Sequence, residues 1–388
     1  MKKFIKCSTS ILGVIMTVIF SFQIYFSNEL PDSYKIVKGE NLELSQMLSV
    51  KSTSDNANEV SLNLLGVIPI KNVTLTEIED YEVCVSGEIF GIKIFTQGVM
   101  VVGISDVETD NGNQNPATNA GIKIGDNILS IDGKQVSSNE DVSQLISESE
   151  GKTLTVIISR KGKQNQMKLT PILSKDGAYK AGMWVRDSSA GIGTMTFYNP
   201  VTATYAGLGH AICDVDTGDI LPLGDGEIVG AKIQSISKST DGKSGSICGI
   251  FDGGRLGDLK LNTELGIYGT LDSVSENINL MKVALKQEIE VGKAQVLCSI
   301  DNNSPQYYDC EIIKIKHNND LTQNMVIEIT DKELLEKAGG IVQGMSGSPI
   351  IQNGKLVGAV THVFVNDTSK GYAIFAENMY EQSKKDAS

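Results

Sequence analysis

Beyond Pro171 the chain is a run of short stretches in which apolar and polar residues alternate, cut at close intervals by glycine. Asp219–Leu223, Glu227–Ser237, Gly245–Phe251, Ile267–Leu271, Gln287-Glu-Ile-Glu-Val-Gly, Lys293-Ala-Gln-Val-Leu-Cys-Ser-Ile and Met325-Val-Ile-Glu-Ile-Thr all carry this pattern. Period two gives each stretch one face for a core and one for solvent. Many such strands in close succession must stack as a sandwich or close as a barrel. The 39 glycines set against 8 prolines supply the tight turns. A hydrophobic fraction of 40% over 388 residues builds real cores and suits two or three domains. The one clear helix in this half is Asp331-Lys-Glu-Leu-Leu-Glu-Lys-Ala, with Thr330 and Glu333 read as a capping box and Gly339-Gly340 as its end.

That helix leads into Gly344-Met345-Ser346-Gly347-Ser348-Pro349-Ile350-Ile351. Glycines on both sides of Ser346 permit dihedrals that side chains forbid, so the N–H groups of Gly344 and Ser346 can converge on one point. Two donors beside a hydroxyl are what acyl transfer asks for: a nucleophile, and an oxyanion site for the tetrahedral intermediate. Ser348, followed by Pro349, is held towards an extended conformation and is read as bracing the turn.

A serine nucleophile needs a base, and the chain has only three histidines. His317, at the charged end of a strand, reads as solvated. His362 lies in the strand after the serine, an awkward place from which to reach Ser346; with Thr361 it is expected to line a cleft, and Val357–Val365 to offer an edge to substrate. His210, in Tyr205-Ala-Gly-Leu-Gly-His-Ala-Ile-Cys-Asp, follows small residues that can hold an imidazole at the edge of a core, and it is the expected base. Cys213 has no glycine turn to expose it and is rejected as a nucleophile. The other cysteines lack paired zinc spacing and read as buried apolar thiols. No metal or cofactor is expected.

A net charge of −13 argues against nucleic acid as a partner, since phosphate binding needs a basic face. At the N-terminus, lysines 2, 3 and 6 precede an apolar run. The twenty residues from Cys7 to Phe26 are about long enough to span a membrane at ~1.5 Å per residue. With no small-x-small site after it, residues 1–26 read as an uncleaved signal anchor that places the rest outside the cytoplasm. Residues 27–60 read as a polar spacer and 61–86 as a lead-in of short strands.

From Gly87 to about residue 175 the chain resembles a PDZ domain, on Phe90-Gly-Ile-Lys-Ile, Gly98-Val-Met-Val-Val-Gly-Ile and Asn115-Pro-Ala-Thr-Asn-Ala-Gly-Ile-Lys-Ile-Gly-Asp-Asn-Ile-Leu-Ser-Ile-Asp-Gly-Lys-Gln-Val. A helix fits Ser138–Ser149, capped by Ser138 or Asn139. The resemblance implies an extended peptide ligand, with its carboxylate held by Phe90, Gly91 and Ile92.

The order of anchor, PDZ module and β-rich serine domain (176–388) is similar to that of the stage IV sporulation protein B peptidases of endospore-forming bacteria. The likeness is carried by Ile192-Gly-Thr-Met-Thr-Phe-Tyr, Gly207-Leu-Gly-His210, Gly339-Gly-Ile-Val-Gln-Gly-Met-Ser346-Gly-Ser-Pro-Ile, Val360-Thr-His-Val-Phe-Val-Asn-Asp and Lys370-Gly-Tyr-Ala-Ile-Phe. It implies a mostly β protein with a chymotrypsin-like double β-barrel and a serine endopeptidase activity. It also implies export from the forespore, self-cleavage, and cutting of a membrane-bound regulator of an intramembrane protease between the two spore membranes, so that a late sigma factor is activated. Transferred residue by residue, Ser346 is the nucleophile, His210 the base and Asp331 the orienting acid, with Asp214, Asp216 and Asp252 as rivals for the last role. The competing reading is a tethered PDZ adaptor with an inactive β-domain.

Overall fold

The computed structural model describes residues 16–385 except 18, 26, 28–29, 45–47, 53–57, 241, 276–277, 302–303 and 317–320. His317 and most of the expected anchor therefore lie outside the described residues. Among the described residues no helix is long and apolar enough to cross a membrane.

Strand accounts for 55% of the chain, as the alternation predicts. Six antiparallel strands form a closed barrel in the order Gly292–Cys298, Gln306–Ile315, Met325–Ile329, Asp367–Phe375, Lys355–Phe364, Pro349–Gln352. Its interior is filled by Val296, Ile312, Ile327, Ile350, Val360 and Ala373, all without solvent exposure. A second ring of six pairings closes just before it. Ile89–Ile104 pairs with Leu223–Ser237, then come Ser246–Thr263, Gly266–Leu271, Thr204–Gly207 and Met183–Tyr198, which returns to Ile89–Ile104. Of the two architectures open from sequence, the chain takes the barrel, twice.

The PDZ module is not set apart from this first barrel. Its sheet of Lys163–Leu169, Leu154–Arg160 and Asn127–Ile131 joins the far half of the same strand Ile89–Ile104, through Val99↔Ile128. Gly98 is the pivot between the halves: it has φ +81°, and a Cβ there would stand 2.3 Å from the Ile128 carbonyl oxygen. The expected division into 87–175 and 176–388 is thus not a division of packing, because Ile89–Ile104 and Met183–Tyr198 each run through both bodies. Each of these two strands has 16 residues, and their pairing with one another continues from Ile89↔Thr194 to Ile104↔Met183.

Other expectations shift in the same way. The spacer 27–60 contributes strands Ser33–Val37 and Leu48–Ser52 to a four-stranded sheet with Glu59–Leu64 and Ile68–Ile78, around buried Tyr34, Val60, Leu62 and Val73. The stretch beginning Gln287 is a 3₁₀ turn, Lys286–Glu288, not a strand. The helix Lys332–Ala338 starts as expected but is capped by Asp331 rather than Thr330, and it ends on left-handed Gly339. The helix Asn139–Glu148 has Ser138 as its cap, with Asp141 completing the capping box and Val142 and Ile146 buried.

Candidate active site

Two glycine-bearing turns from different barrels meet in one cleft. On the first, Leu208 and Gly209 both take left-handed dihedrals (φ +65° and +70°), and this double turn delivers His210 to the cleft wall. On the second, Gly344 (φ +104°) and Gly347 (φ +94°) flank Ser346. No larger residue fits at Gly347, where a Cβ would lie 2.0 Å from the Thr194 carbonyl oxygen. The strand Met183–Tyr198 fastens the serine turn to the first barrel. Thr194 N–H donates to Ser346 O at 2.9 Å, and the hydroxyls of Thr194 and Thr196 donate to Gly344 O at 2.9 Å and Gly347 O at 2.8 Å.

The cleft has a volume of about 590 Å³ and is lined by Ser346, His210, Thr361 and His362 among small and apolar side chains. Ser346 Oγ donates to the Thr361 carbonyl at 2.8 Å. His210 Nδ1 lies 2.8 Å from the carbonyl oxygen of the next residue, Ala211. A carbonyl only accepts, so Nδ1 carries the proton and Nε2 keeps the lone pair a base needs. Burial pushes the His210 imidazole below its ordinary range; the Ala211 carbonyl opposes this and neighbouring His362 adds to it. Burial lowers His362 as well. The two rings stand 4.8 Å apart between centroids. Among the described residues neither Gly344 N–H nor Ser346 N–H has an acceptor, although the neighbouring Met345 N–H bonds Val342 O and Gly347 N–H bonds Val360 O. Those two free donors are where the oxyanion site was expected.

Asp331 does not orient His210. One carboxylate oxygen accepts the N–H groups of Glu333 (2.9 Å) and Leu334 (3.0 Å), the other that of Asp309, and the residue is absent from the cleft lining. Its place as the N-cap commits its carboxylate to the helix N–H groups. The rivals are engaged elsewhere too: Asp214 and Asp216 pair with Arg186, and Asp252 with Lys232. No carboxylate is among the described residues that line the cleft. Cys213 does line it and is exposed, against the expectation that nothing exposes it, but partial desolvation by its surroundings raises its thiol above the ordinary range, which keeps it protonated. Ser348 Oγ is buried with no partner; the turn is braced instead by main chain, Ser348 N–H to Met345 O.

Thr361 and His362 line the cleft as expected, while the Ala211 and Thr361 carbonyls were not anticipated, because backbone acceptors leave no signal in the sequence. The strand carrying His362 pairs with Asp367–Phe375 from Gly358 to Phe364, but on its other side pairing with Pro349–Gln352 stops at Ala359. The residues from Thr361 on therefore present an edge at the cleft, while the rest of the segment is ordinary barrel.

The PDZ carboxylate loop is not at Phe90–Ile92. Phe90 is fully buried in the first barrel against Tyr205, and Gly91 pairs with Ile192 on one side and Val229 on the other. Freeing Phe90 would cost about 2–3 kcal/mol in lost burial alone. The groove the module does possess lies between the helix Asn139–Glu148 and Ala181–Val185, with Val142, Ile146, Met183 and Trp184 on its walls and a volume of about 740 Å³. Met183–Arg186 pairs with Met100–Ile104 along one edge, and among the described residues no strand takes the other.

Comparison with known proteins follows this division of the chain. The family described as SpoIVB peptidase S55 matches residues 177–380, just over half of the chain, and the PDZ domain family matches 92–170. A protein named "Probable protease eep" from Enterococcus faecalis is 32% identical over 87 residues, covering 21% of this chain and 20% of that protein. The chain spans about a fifth of the length of the curated relatives it matches. Among solved structures, the PDZ domain of the SdrC-like protein Lmo2051 from Listeria monocytogenes is 22% identical, covering 23% of this chain and 87% of its own, with a TM-score of 0.19. The active form of the Rv3671c protease from M. tuberculosis is 15% identical, covering 51% of this chain and 74% of its own, with a TM-score of 0.27.

Proposed function

The chain belongs to the SpoIVB peptidase S55 family and is a serine peptidase, and from that premise we propose that it is an endopeptidase working through Ser346 and His210. When substrate enters, the Ser346 hydroxyl leaves Thr361 O, gives its proton to Nε2 of His210 and attacks the peptide carbonyl. The Gly344 and Ser346 N–H groups hold the oxyanion, and His210 returns the proton to the leaving amine. The Ala211 carbonyl fixes the tautomer, as a triad carboxylate would, without adding a charge. The observation that carries this reading is the meeting of Ser346 and His210 in one cleft beside two main-chain donors with no acceptor of their own.

The family points to the substrate: this chain itself, and a membrane-bound regulator of an intramembrane protease, cut between the forespore and mother-cell membranes during sporulation. We assign the groove at Ala181–Val185 as the place where an extended peptide adds to the open edge of Met183–Arg186. An apolar N-terminal run preceded by lysines supports a membrane-tethered form.

A fluorophosphonate tests the proposal, because an activated serine is labelled and an idle loop serine is not. Ser346→Ala should abolish labelling and self-cleavage, and His210→Ala should lower both by at least a thousandfold, each with an unchanged melting temperature. Undiminished labelling in either variant leaves the tethered-adaptor reading in its place.

A further inference from the structure

Arg186 and Asp187 stand where the strand Met183–Tyr198 passes from the PDZ sheet to the first barrel. Arg186 pairs with Met100 of the PDZ half, Ser188 with Phe95 of the barrel half, and the register slips between them. The two side chains serve opposite bodies. The Arg186 guanidinium forks onto Asp214 through Nη1 and onto Asp216 through Nη2 at 2.7 Å. Asp187 Oδ2 accepts the N–H of Asn139 at 2.8 Å, at the first turn of the helix that walls the peptide groove.

What Arg186 holds is the loop that follows His210. The Asp214 side chain is wholly buried, and its other oxygen accepts the N–H groups of Asp216 (3.0 Å) and Thr217 (2.9 Å), so the loop is wound round this carboxylate. Burial pushes the Asp214 carboxyl up, but those two N–H groups and the guanidinium outweigh it and keep the group charged. Closer to the imidazole, Asn262 clamps Ile212 by Ile212 N–H to Oδ1 (2.7 Å) and Nδ2 to Ile212 O (2.8 Å). His210 itself is steadied by the Ala211 carbonyl, a group of this loop's own main chain. Whatever sets the path from Ala211 to Asp214 therefore sets the imidazole. An arginine fork reaching two carboxylates fixes direction as well as distance, which a point charge does not.

We propose that Arg186 is a positioning residue for the reaction and that, with Asp187, it ties the loop carrying His210 to the helix that walls the PDZ groove. The inference rests on His210 as the base. It makes the PDZ module part of what aligns the catalytic pair.

The test is the rate of fluorophosphonate labelling in the full chain, read beside the melting temperature. Arg186→Gln alone strands a buried carboxylate and is expected to melt early. The informative variant is Arg186→Gln with Asp214→Asn, which removes both charges. We expect it to regain most of the lost melting temperature yet to label tenfold to a hundredfold more slowly than the natural chain, the size of effect a misplaced group produces. Asp187→Ala, which removes the acceptor of the Asn139 N–H, should slow labelling per folded molecule severalfold. A merely structural ion pair gives the opposite result: labelling returns with stability. A natural labelling rate in the double variant overturns the positioning role, and a natural rate in Asp187→Ala overturns the tie to the groove helix. Should the double variant not fold, Asp216→Asn decides, because that half-exposed prong leaves no buried charge behind; an unchanged rate there also overturns the proposal. If the natural chain labels no faster than Ser346→Ala, the peptidase reading itself fails, and that outcome is distinct from all of these.

Discussion

At the scale of the residue, His210 has the properties of a base kept neutral. Its proton sits on Nδ1 against a carbonyl, its Nε2 has no hydrogen-bond partner among the described residues, and burial makes the charged form costly. The sign for activity follows directly. Catalysis needs the neutral ring, and the ring in the fold gains its proton only below the ordinary value of 6.5. Labelling of Ser346 should therefore reach half-maximum on the acid side of pH 6.5; a half-maximum above 6.5 in a pH–rate profile would contradict the assignment. Stability moves the same way, since the unfolded chain binds protons at His210 and His362 that the fold resists. It should decline as the pH falls through 6.5 and level off below the folded values. Both histidines were visible in the sequence. Their proximity was not, because 4.8 Å between two rings is decided by which strands of two barrels meet.

At the scale of the element, the helix Lys332–Ala338 shows how a short signal misleads. A sequence with an aspartate fifteen positions before a serine invites a triad. The same aspartate at the start of a helix satisfies otherwise orphaned N–H groups, and here its carboxylate is taken up by those and by the Asp309 N–H. Replacing Asp331 with alanine should cost about 1 kcal/mol of stability in urea unfolding, the usual worth of such a cap, and leave labelling per folded molecule unchanged. A loss of labelling out of proportion to the loss of fold would return Asp331 to the catalytic machinery. The glycine turns, by contrast, were legible at once. Gly344 and Gly347 have positive φ, and the first of them leaves its N–H free. Local dihedral needs of this kind are written in residue type, and no distant contact alters them.

At the scale of the whole molecule, two long strands are shared between the PDZ sheet and the first barrel, and this changes what counts as a domain. A fragment of residues 177–388 keeps the whole of the peptidase family match but loses Ile89–Ile104, which lies between Met183–Tyr198 and Leu223–Ser237. Its first barrel then has two raw edges and an open core where Phe90, Ile92 and Ile94 belong. We expect that fragment to lack a cooperative unfolding transition in urea, whereas the chain with both strands present shows one. Cooperative unfolding of 177–388 with full labelling would show the barrel to be complete without the shared strand. The same sharing puts Arg186 and Asp187 at the joint between groove and cleft.

By itself the sequence determined the β class, the two glycine turns with their serine and histidine, and the helix cores of the PDZ module. These follow from period, residue type and backbone permissiveness, all of which act over a few neighbouring residues. The tertiary structure alone decided that Phe90 faces a barrel core rather than a peptide and that Asp331 stays at its helix. It also decided that His210 and Ser346 rest against two main-chain carbonyls, with no carboxylate among the described residues that line their cleft. Those outcomes depend on which strands pair across a hundred or more residues, and main-chain acceptors, which every residue carries, leave no mark in the sequence.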